Sequence, residues 1–208
     1  MKLLHIDSSI TGPGSVSRVL SAEIVEAKRR QDPSLELTYR DLERNPVGHL
    51  SGAHLAAAQG AAPANDVLAE DVTAGVAALQ EFLAADVIVI GAPRYNFGIP
   101  SQLKAWIDRI SVAGKTFRYT ANGPEGLAGG KEVIVAMPRG GFVGADARGE
   151  FGESYLKHLF SFLGITNVRF VHAQGLNVSP QHREESLKAA HAAIASMPRV
   201  PALHALAA

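Results

Sequence analysis

The chain has 208 residues, 47% of them hydrophobic, and its 20 Lys and Arg residues balance 20 Asp and Glu residues. This length is enough for one sizeable core, so we expect a single domain over residues 1–208. The neutral charge balance argues against a protein that binds nucleic acid or an anionic membrane, because such proteins carry a basic surplus. The absence of cysteine excludes disulfides, thiolate metal sites and a cysteine nucleophile, and it favours the cytoplasm.

Apolar runs alternate with amphipathic stretches along the whole chain. Strands that alternate with helices imply a parallel sheet with right-handed crossovers, and therefore an α/β fold. The apolar runs predict strands over 2–7, 35–42, 86–93, 131–138 and 167–174. The amphipathic stretches predict helices near 16–30, 64–84, 101–113, 152–163 and 181–196.

The remaining segments have the composition of surface loops or lids. They are rich in Ala, Gly, Asn and Pro over 51–65, and rich in Gly over 121–130 and 139–149. No apolar run approaches the roughly 20 residues of a membrane span, so no membrane segment is expected. The eight histidines show no ligand spacing, and we predict no metal site.

In a parallel sheet of this kind, ligands bind beyond the carboxyl ends of the strands, near the point where the strand order reverses. The loops after the first, third and fourth predicted strands are "SSITGPGSVS", "APRYNFGIPSQ" and "MPRGGFVG". The first loop has no lysine after its glycines, so it is not a nucleotide P-loop. It also has no G-x-G-x-x-G pattern, which argues against a dinucleotide fold.

The first loop carries five hydroxyl side chains and leads directly into a helix. Free N–H groups and the positive end of the helix dipole make such a position suitable for an anion. The alternative is that Ser15 or Ser17 simply caps the helix. The hydroxyl side chains are those of Ser8, Ser9, Thr11, Ser15 and Ser17.

The other two loops offer different chemistry. Tyr95 and Phe97 provide flat apolar surface, and Asn96 provides hydrogen bonds to a heteroaromatic edge, unless this segment is only a packed turn. Arg139 with the two following glycines gives a fixed cation and a backbone that a ligand can approach closely, although such a sequence is also common in surface loops. Together the loops predict phosphate binding, ring stacking and polar-edge contacts around one crevice.

Five stretches carry a resemblance to a known family: "SSITGPGSVSRVLS", "YNFGIPSQLKAWIDRI", "GKTFRYTANGPEGLAGGKEVIV", "RGG" and "FLGITNVRFVHAQGL". In these stretches the chain resembles the FMN-dependent NADH-azoreductases, which belong to the flavodoxin-like quinone reductases. The resemblance extends nearly from end to end. It implies a flavodoxin-like, doubly wound, five-stranded parallel sheet with helices on both faces. It also implies a homodimer in which both chains line each site, with one FMN per subunit.

The resemblance also assigns cofactor-binding residues to the three loops. The FMN phosphate maps to Ser9, Ser15, Val16 and Ser17. The isoalloxazine ring maps to Arg94, Tyr95, Asn96 and Phe97. The polar edge of the ring maps to Pro138, Arg139, Gly140 and Gly141.

Three positions depart from what is common in the family. Arg94 places a fixed charge where relatives often carry methionine, and Pro138 lacks the N–H group that relatives commonly have there. Val143 is apolar where some relatives have a polar side chain. We still expect FMN binding despite these departures, and we expect them to affect substrate preference.

The implied activity is a ping-pong transfer of two electrons from NADH, through flavin N5, to quinones and to aromatic azo compounds. A quinone takes one cycle, and an azo compound takes two and ends as two amines. The flavin does the chemistry, so no catalytic side chain is predicted. One alternative is a flavodoxin-type electron carrier. The zero net charge and the long segment over 114–131 argue against it. The other is an FMN-binding protein with a regulatory role only.

Overall fold

The computed structural model describes residues 1–142 and 150–198. Val143 lies outside the described residues, as does most of the loop predicted over 139–149. The strands are β1 (Lys2–Asp7), β2 (Glu36–Asp41), β3 (Val87–Gly91), β4 (Phe117–Thr120), β5 (Gly123–Gly126), β6 (Glu132–Pro138) and β7 (Asn167–Ala173). The helices are α1 (Val16–Gln31), α2 (Gly52–Ala58), α3 (Asp66–Ala84), α4 (Ser101–Ile110), α5 (Gly152–Phe162) and α6 (Pro180–Ala195).

Five of the strands form one parallel sheet in the order β2-β1-β3-β6-β7. This strand order is that of flavodoxin-like sheets, and it confirms the fold class expected from the sequence. The two central strands, β3 and β6, are buried along their whole length. Strands covered on both faces must be apolar throughout, which is why their Val and Ile runs were readable in the sequence.

Helices cover both faces of the sheet, and each face has its own apolar core. On one face α1 and α6 pack against the sheet through residues such as Leu20, Ile24 and Ile194. On the other face α3, α4 and α5 contribute large side chains, among them Phe82, Trp106 and Phe160. The two cores hold the sheet rigidly, so that the loops at its carboxyl edge start from fixed points. Within the described residues, no helix combines the length and the apolar character needed to cross a bilayer.

The structure differs from the expected loops in two places. Residues 51–65 contain the short helix α2, which has no buried residue and is held by His54, whose Nε2 lies 2.6 Å from Asp71 Oδ2. The glycine-rich segment 121–130 contributes β5 to an antiparallel hairpin with β4. Gly126 is needed there because a Cβ atom would lie 2.1 Å from the backbone nitrogen of Gly164. Both elements depend on tertiary contacts that the local sequence does not reveal.

A buried ion pair joins α1 to β6. Lys28 is 1% exposed, and its Nζ lies 2.8 Å from Oε2 of Glu132. Arg169 Nε lies 3.2 Å from the other oxygen of the same carboxylate. Removing one partner of such a pair leaves a buried charge, whereas removing both charges does not.

We therefore expect Lys28→Met to lower the free energy of unfolding by about 3 kcal/mol. The double variant Lys28→Met/Glu132→Gln should recover most of that loss, because no buried carboxylate then remains without its main partner. Urea denaturation of both variants provides the measurement. Equal stability of the single and double variants would show that the pair does not neutralise a buried charge.

Candidate functional site

The three candidate loops meet at the carboxyl edge of the sheet. Strands β1 and β3 are neighbours in the sheet, but the chain leaves them toward helices on opposite faces. Ser8 Oγ donates to the carbonyl of Gly91 at 2.6 Å, which joins the first loop to the end of β3, where the second loop begins. The N–H of Arg94 donates to the carbonyl of Pro138 at 3.4 Å, which joins the second loop to the third. The three segments from which the site was predicted therefore lie next to one another at this edge of the sheet.

The first loop presents buried hydroxyl groups at the start of α1. Ser9, Ser15 and Ser17 are 0%, 4% and 0% exposed. The Ser15 hydroxyl caps the helix, since it accepts from the N–H of Arg18 at 3.4 Å. It also lies 2.9 Å from the Ser17 hydroxyl. The capping interpretation is thus correct for Ser15, but it does not apply to Ser9, whose hydroxyl lies 3.0 Å from Thr11 Oγ1, or to Ser17.

Two backbone donors accompany these hydroxyls. In residues 1–142 and 150–198, neither the N–H of Val16 nor that of Ser17 has a protein acceptor. Both lie in the first turn of a 16-residue helix, where the helix dipole is positive. Unpaired N–H groups beside buried hydroxyls at a helix N-terminus favour an anion. The first loop can therefore hold a phosphate group.

The second loop contains a strained turn. Tyr95 and Gly98 exchange backbone hydrogen bonds of 3.1 and 2.9 Å, and the residues between them, Asn96 and Phe97, have φ angles of 47° and 69°. In the described part of the chain they are the only non-glycine residues with positive φ. Such strain is concentrated at ligand sites, where surrounding structure maintains it. Phe97 is 63% exposed, so burial does not explain why an aromatic residue occupies this position.

Tyr95 and Arg94 fix the orientation of this turn. The Tyr95 hydroxyl lies 3.1 Å from Ser9 Oγ and accepts from the N–H of Ile10 at 3.3 Å. It thereby ties the aromatic turn to the hydroxyl loop. Arg94 places its guanidinium carbon 5.5 Å from the centre of the Phe97 ring. A cation over an aromatic face is attracted by the ring quadrupole, so the charge and the ring are presented together.

In the third loop, the side chain of Arg139 points into the protein. It is 3% exposed, forms an ion pair with Glu150 and lies 3.2 Å from Nδ1 of His172. The backbone of the next residue, Gly140, runs close to the side chain of Asn177. A Cβ atom on Gly140 would lie 2.6 Å from the side-chain amide nitrogen of Asn177. The sequence suggested Arg139 as a cation for the ligand, whereas the structure engages this guanidinium with Glu150 and His172.

The environment of His172 follows from these contacts. Burial lowers the pKa of His172 below its usual value, and the charge of Arg139 lowers it further against the opposing effect of Glu153. The imidazole therefore favours its neutral form beside the Arg139 guanidinium. Its contact with Arg139 gives His172 a role in holding the third loop.

Sequence reasoning missed a polar cluster beneath the first loop. Asp7 ends β1 and is 3% exposed; it accepts from Ser21 at 2.8 Å and from Tyr39 at 3.0 Å. Burial and the neighbouring Asp7 carboxylate raise the pKa of Tyr39 to about 12, so its hydroxyl stays protonated and donates. The signal available in the sequence was a charged residue that ends a buried strand directly before a serine-rich loop.

Comparison with known proteins identifies the family. Residues 1–197 match a family model described as a flavodoxin-like fold. The chain is 62% identical over 200 residues to FMN-dependent NADH:quinone oxidoreductase 2 of Bradyrhizobium diazoefficiens. The alignment covers 95% of this chain and 98% of that protein. The chain belongs to this flavodoxin-like oxidoreductase family. A family member from Stenotrophomonas maltophilia is 52% identical, over 99% of this chain and 100% of that protein.

Solved structures agree with this assignment. An FMN-dependent NADH-azoreductase from Bacillus anthracis, in complex with FMN, superposes on this family member with a TM-score of 0.83 at 29% identity. The match covers 93% of this chain and 95% of that structure. The family resemblance stated from the five sequence stretches is therefore confirmed.

The strained turn gives a test of the site that needs no ligand. Phe97→Gly and Phe97→Ala both remove the ring, but only glycine adopts the positive φ without a steric penalty. We expect the glycine variant to exceed the alanine variant in free energy of unfolding by about 1 kcal/mol. Urea denaturation of the two variants is the measurement. If the alanine variant is the more stable one, as it would be at an unstrained position, the turn is not strained.

Proposed function

We propose that the chain is an FMN-dependent NADH:quinone oxidoreductase with one FMN per subunit. One observation carries the proposal. Unpaired N–H groups and buried hydroxyls at the start of α1 lie at the same edge of the sheet as the strained aromatic turn. Relatives that are 52% and 62% identical are named for this activity. The crevice lies between β1 and β3, which is where flavodoxin-like sheets bind FMN.

The residues of the first loop fit the terminal phosphate of FMN. A phosphate dianion accepts several hydrogen bonds, and the N–H groups of Val16 and Ser17 have no acceptor among the described residues. The hydroxyls of Ser9, Ser15 and Ser17 are already buried there, so binding would not require their further dehydration. We assign these four residues to the phosphate.

The other two loops fit the ring. Tyr95 and Phe97 supply flat apolar surface, while Asn96 is exposed and can supply hydrogen bonds. We assign Arg94 to the same segment because its guanidinium lies over the Phe97 ring. For the polar edge of the ring, we assign Pro138, Arg139, Gly140 and Gly141 through their backbone, since the Arg139 side chain is engaged with Glu150.

The protein's contribution to the chemistry is positioning. Bound FMN would supply a group that accepts a hydride and returns two electrons. The three loops themselves contain Arg94, Tyr95 and Arg139 as their ionisable side chains, and none of these residue types exchanges protons readily near neutral pH. We therefore propose that no side chain acts as an obligate acid or base. The residues would orient the ring and anchor its phosphate.

A ping-pong sequence follows from a single crevice. We propose that NADH and the electron acceptor would occupy the same site in turn, so that oxidised nicotinamide would leave before a quinone binds. Aromatic azo compounds are proposed as second acceptors, because structural relatives are named azoreductases. A homodimer whose chains share each site, and a cytoplasmic location, stay predictions of the sequence.

A flavodoxin-type electron carrier remains the alternative. Such carriers are strongly acidic for docking to partners, whereas this chain has a net charge of zero. A carrier would bind FMN in the same crevice but would not oxidise NADH. A regulatory FMN-binding protein would share that property.

We expect the purified protein to be yellow and to release FMN, at one per chain, on denaturation. With NADH and a quinone it should turn over, consuming one NADH per quinone, and initial rates at several quinone concentrations should give parallel double-reciprocal lines. An azo dye should consume two NADH per molecule. Release of FAD, or FMN binding without NADH oxidation, would rule out the proposed enzyme, and the second result would favour the carrier.

The phosphate assignment has a matched test in two helix caps. Ser15 caps α1 by accepting from Arg18, and Ser179 caps α6 in the same way by accepting from His182. Replacing either with alanine should cost about 1 kcal/mol of stability. Only Ser15→Ala should also weaken FMN binding, by about tenfold, because it removes a hydroxyl donor to a dianion.

Flavin fluorescence quenching of the apoprotein measures both affinities. Riboflavin, which lacks the phosphate, serves as the second ligand and should bind the Ser15→Ala protein as it binds the wild type. Equal FMN affinity in Ser15→Ala and Ser179→Ala would mean that Ser15 is a helix cap and nothing more.

A further inference from the structure

One side chain outside the assigned site holds the hydroxyl loop (Ser8–Ser17) from below. Arg18 Nη2 donates to the carbonyl of Ser9 at 2.8 Å. The backbone N–H of the same residue donates to the hydroxyl of Ser15 at 3.4 Å. Arg18 therefore contacts both ends of the loop, at two of the residues assigned to the phosphate.

The guanidinium is itself anchored on β2. Its Nη1 and Nη2 donate to the two carboxylate oxygens of Asp41 at 2.7 and 2.8 Å. Asp41 ends β2 and is 6% exposed. One of its oxygens also accepts from the N–H of Glu43 at 3.0 Å. A planar fork on a carboxylate that is itself fixed has little freedom to move.

These contacts use the hydrogens of both terminal nitrogens. Nη1 donates to Asp41 and, at 3.3 Å, to the hydroxyl of Tyr39. Nη2 donates to Asp41 and to the Ser9 carbonyl. Each terminal nitrogen has only two hydrogens, so neither has one left for a bound anion. These two nitrogens therefore act on the anion through the loop and not by direct contact, and only Nε, which is buried without a hydrogen-bond partner among the described residues, keeps a hydrogen that is not engaged.

We propose that Arg18 is a positioning residue for the cofactor phosphate: its fork on Asp41 fixes the Ser9 carbonyl and sets the geometry of the hydroxyl loop. The proposal rests on the proposed function, because it takes the loop to be the phosphate site. It assigns Arg18 and Asp41 a role in cofactor affinity. Neither residue is among those that the sequence placed at the site.

A charge effect must be separated from this positioning effect. Asp7 is buried beside the same loop, and its Oδ2 lies 3.7 Å from Arg18 Nη1. A positive charge there offsets the repulsion between buried carboxylates and an incoming dianion. Lysine would keep the charge but could not form the fork. Arg18→Lys therefore distinguishes geometry from charge.

The chain offers a matched control on the same strand. Arg40 also forms a two-pronged pair with a carboxylate, donating to the two oxygens of Glu81 at 2.8 Å each. The two arginine side chains are similarly exposed, at 15% for Arg18 and 13% for Arg40. Arg40→Met removes a comparable ion pair without touching the hydroxyl loop.

The experiment titrates wild-type, Arg18→Met, Arg18→Lys, Asp41→Asn and Arg40→Met apoproteins with FMN and with riboflavin, following flavin fluorescence. The readout is the ratio of the two affinities, which isolates the phosphate contribution. We expect both Arg18 variants to lose about tenfold or more in FMN affinity while their riboflavin affinity stays unchanged. Asp41→Asn should lower the ratio to a smaller extent, and Arg40→Met should not change it. Unchanged riboflavin binding also shows that each variant is folded.

Three results would overturn the proposal. An unchanged ratio in the Arg18 and Asp41 variants would show that the fork is only structural, and would leave the proposed function standing. Wild-type FMN affinity in Arg18→Lys would show that charge and not geometry matters. If Arg18→Met does not fold, Arg18→Lys and Asp41→Asn decide the question alone. Failure of the wild-type protein to bind FMN more tightly than riboflavin would refute the phosphate assignment itself, and with it this proposal.

Discussion

The site depends on one constraint of the sheet: β1 and β3 are hydrogen-bonded neighbours, yet the chain leaves them toward opposite faces. The segment after β1 enters α1, which packs in one core, and the segment after β3 enters α4, which packs in the other. No helix can cover the edge between two such departures. The crevice is therefore a consequence of strand order, and the loops contribute the side chains and backbone groups that can contact a ligand.

Local stability is reduced at this crevice and restored elsewhere. Asn96 and Phe97 hold positive φ angles, and the N–H groups of Val16 and Ser17 have no acceptor among the described residues. Each non-glycine residue with a positive φ angle opposes folding by about 1–3 kcal/mol. The buried strands β3 and β6 and the aromatic packing of Phe82 on Trp106, with ring centres 5.9 Å apart, supply the compensating stability. Backbone conformations that conflict with the intrinsic preference of the residue persist only where a rigid surrounding structure maintains them. Such positions are therefore expected at functional sites.

Sequence patterns predicted the five strands of the parallel sheet better than the short elements outside it. Buried parallel strands must be apolar over their whole length, so all five could be placed to within a residue or two. The helix α2 and the strands β4 and β5 were missed, and in α2 and β5 the reason is that glycine and alanine suit loops in general. Gly126 occurs in a strand for another reason, which is its close approach to Gly164. Contacts of that kind involve residues far apart in the chain, and no local pattern records them.

The same limit explains which parts of the site could be predicted. The hydroxyl, aromatic and glycine-rich loops each have an unusual local composition, so each could be singled out. The Arg18–Asp41 pair has none, because the two residues are 23 positions apart and meet only through the pairing of β1 with β2. That pairing sets Asp7 directly opposite Asp41, so two buried carboxylates end neighbouring strands beside the loop assigned to a dianion.

Such an arrangement is unfavourable unless a cation is shared between the acids. At an effective dielectric constant of about 20, like charges about 4 Å apart repel by about 4 kcal/mol. Arg18 forms its fork on Asp41, lies near Asp7 and holds the Ser9 carbonyl, so one guanidinium offsets both carboxylates and orders the loop. The donors assigned to the phosphate are neutral hydroxyls and N–H groups, whose hydrogen bonds are directional. The loop would therefore select a phosphate by geometry more than by net charge.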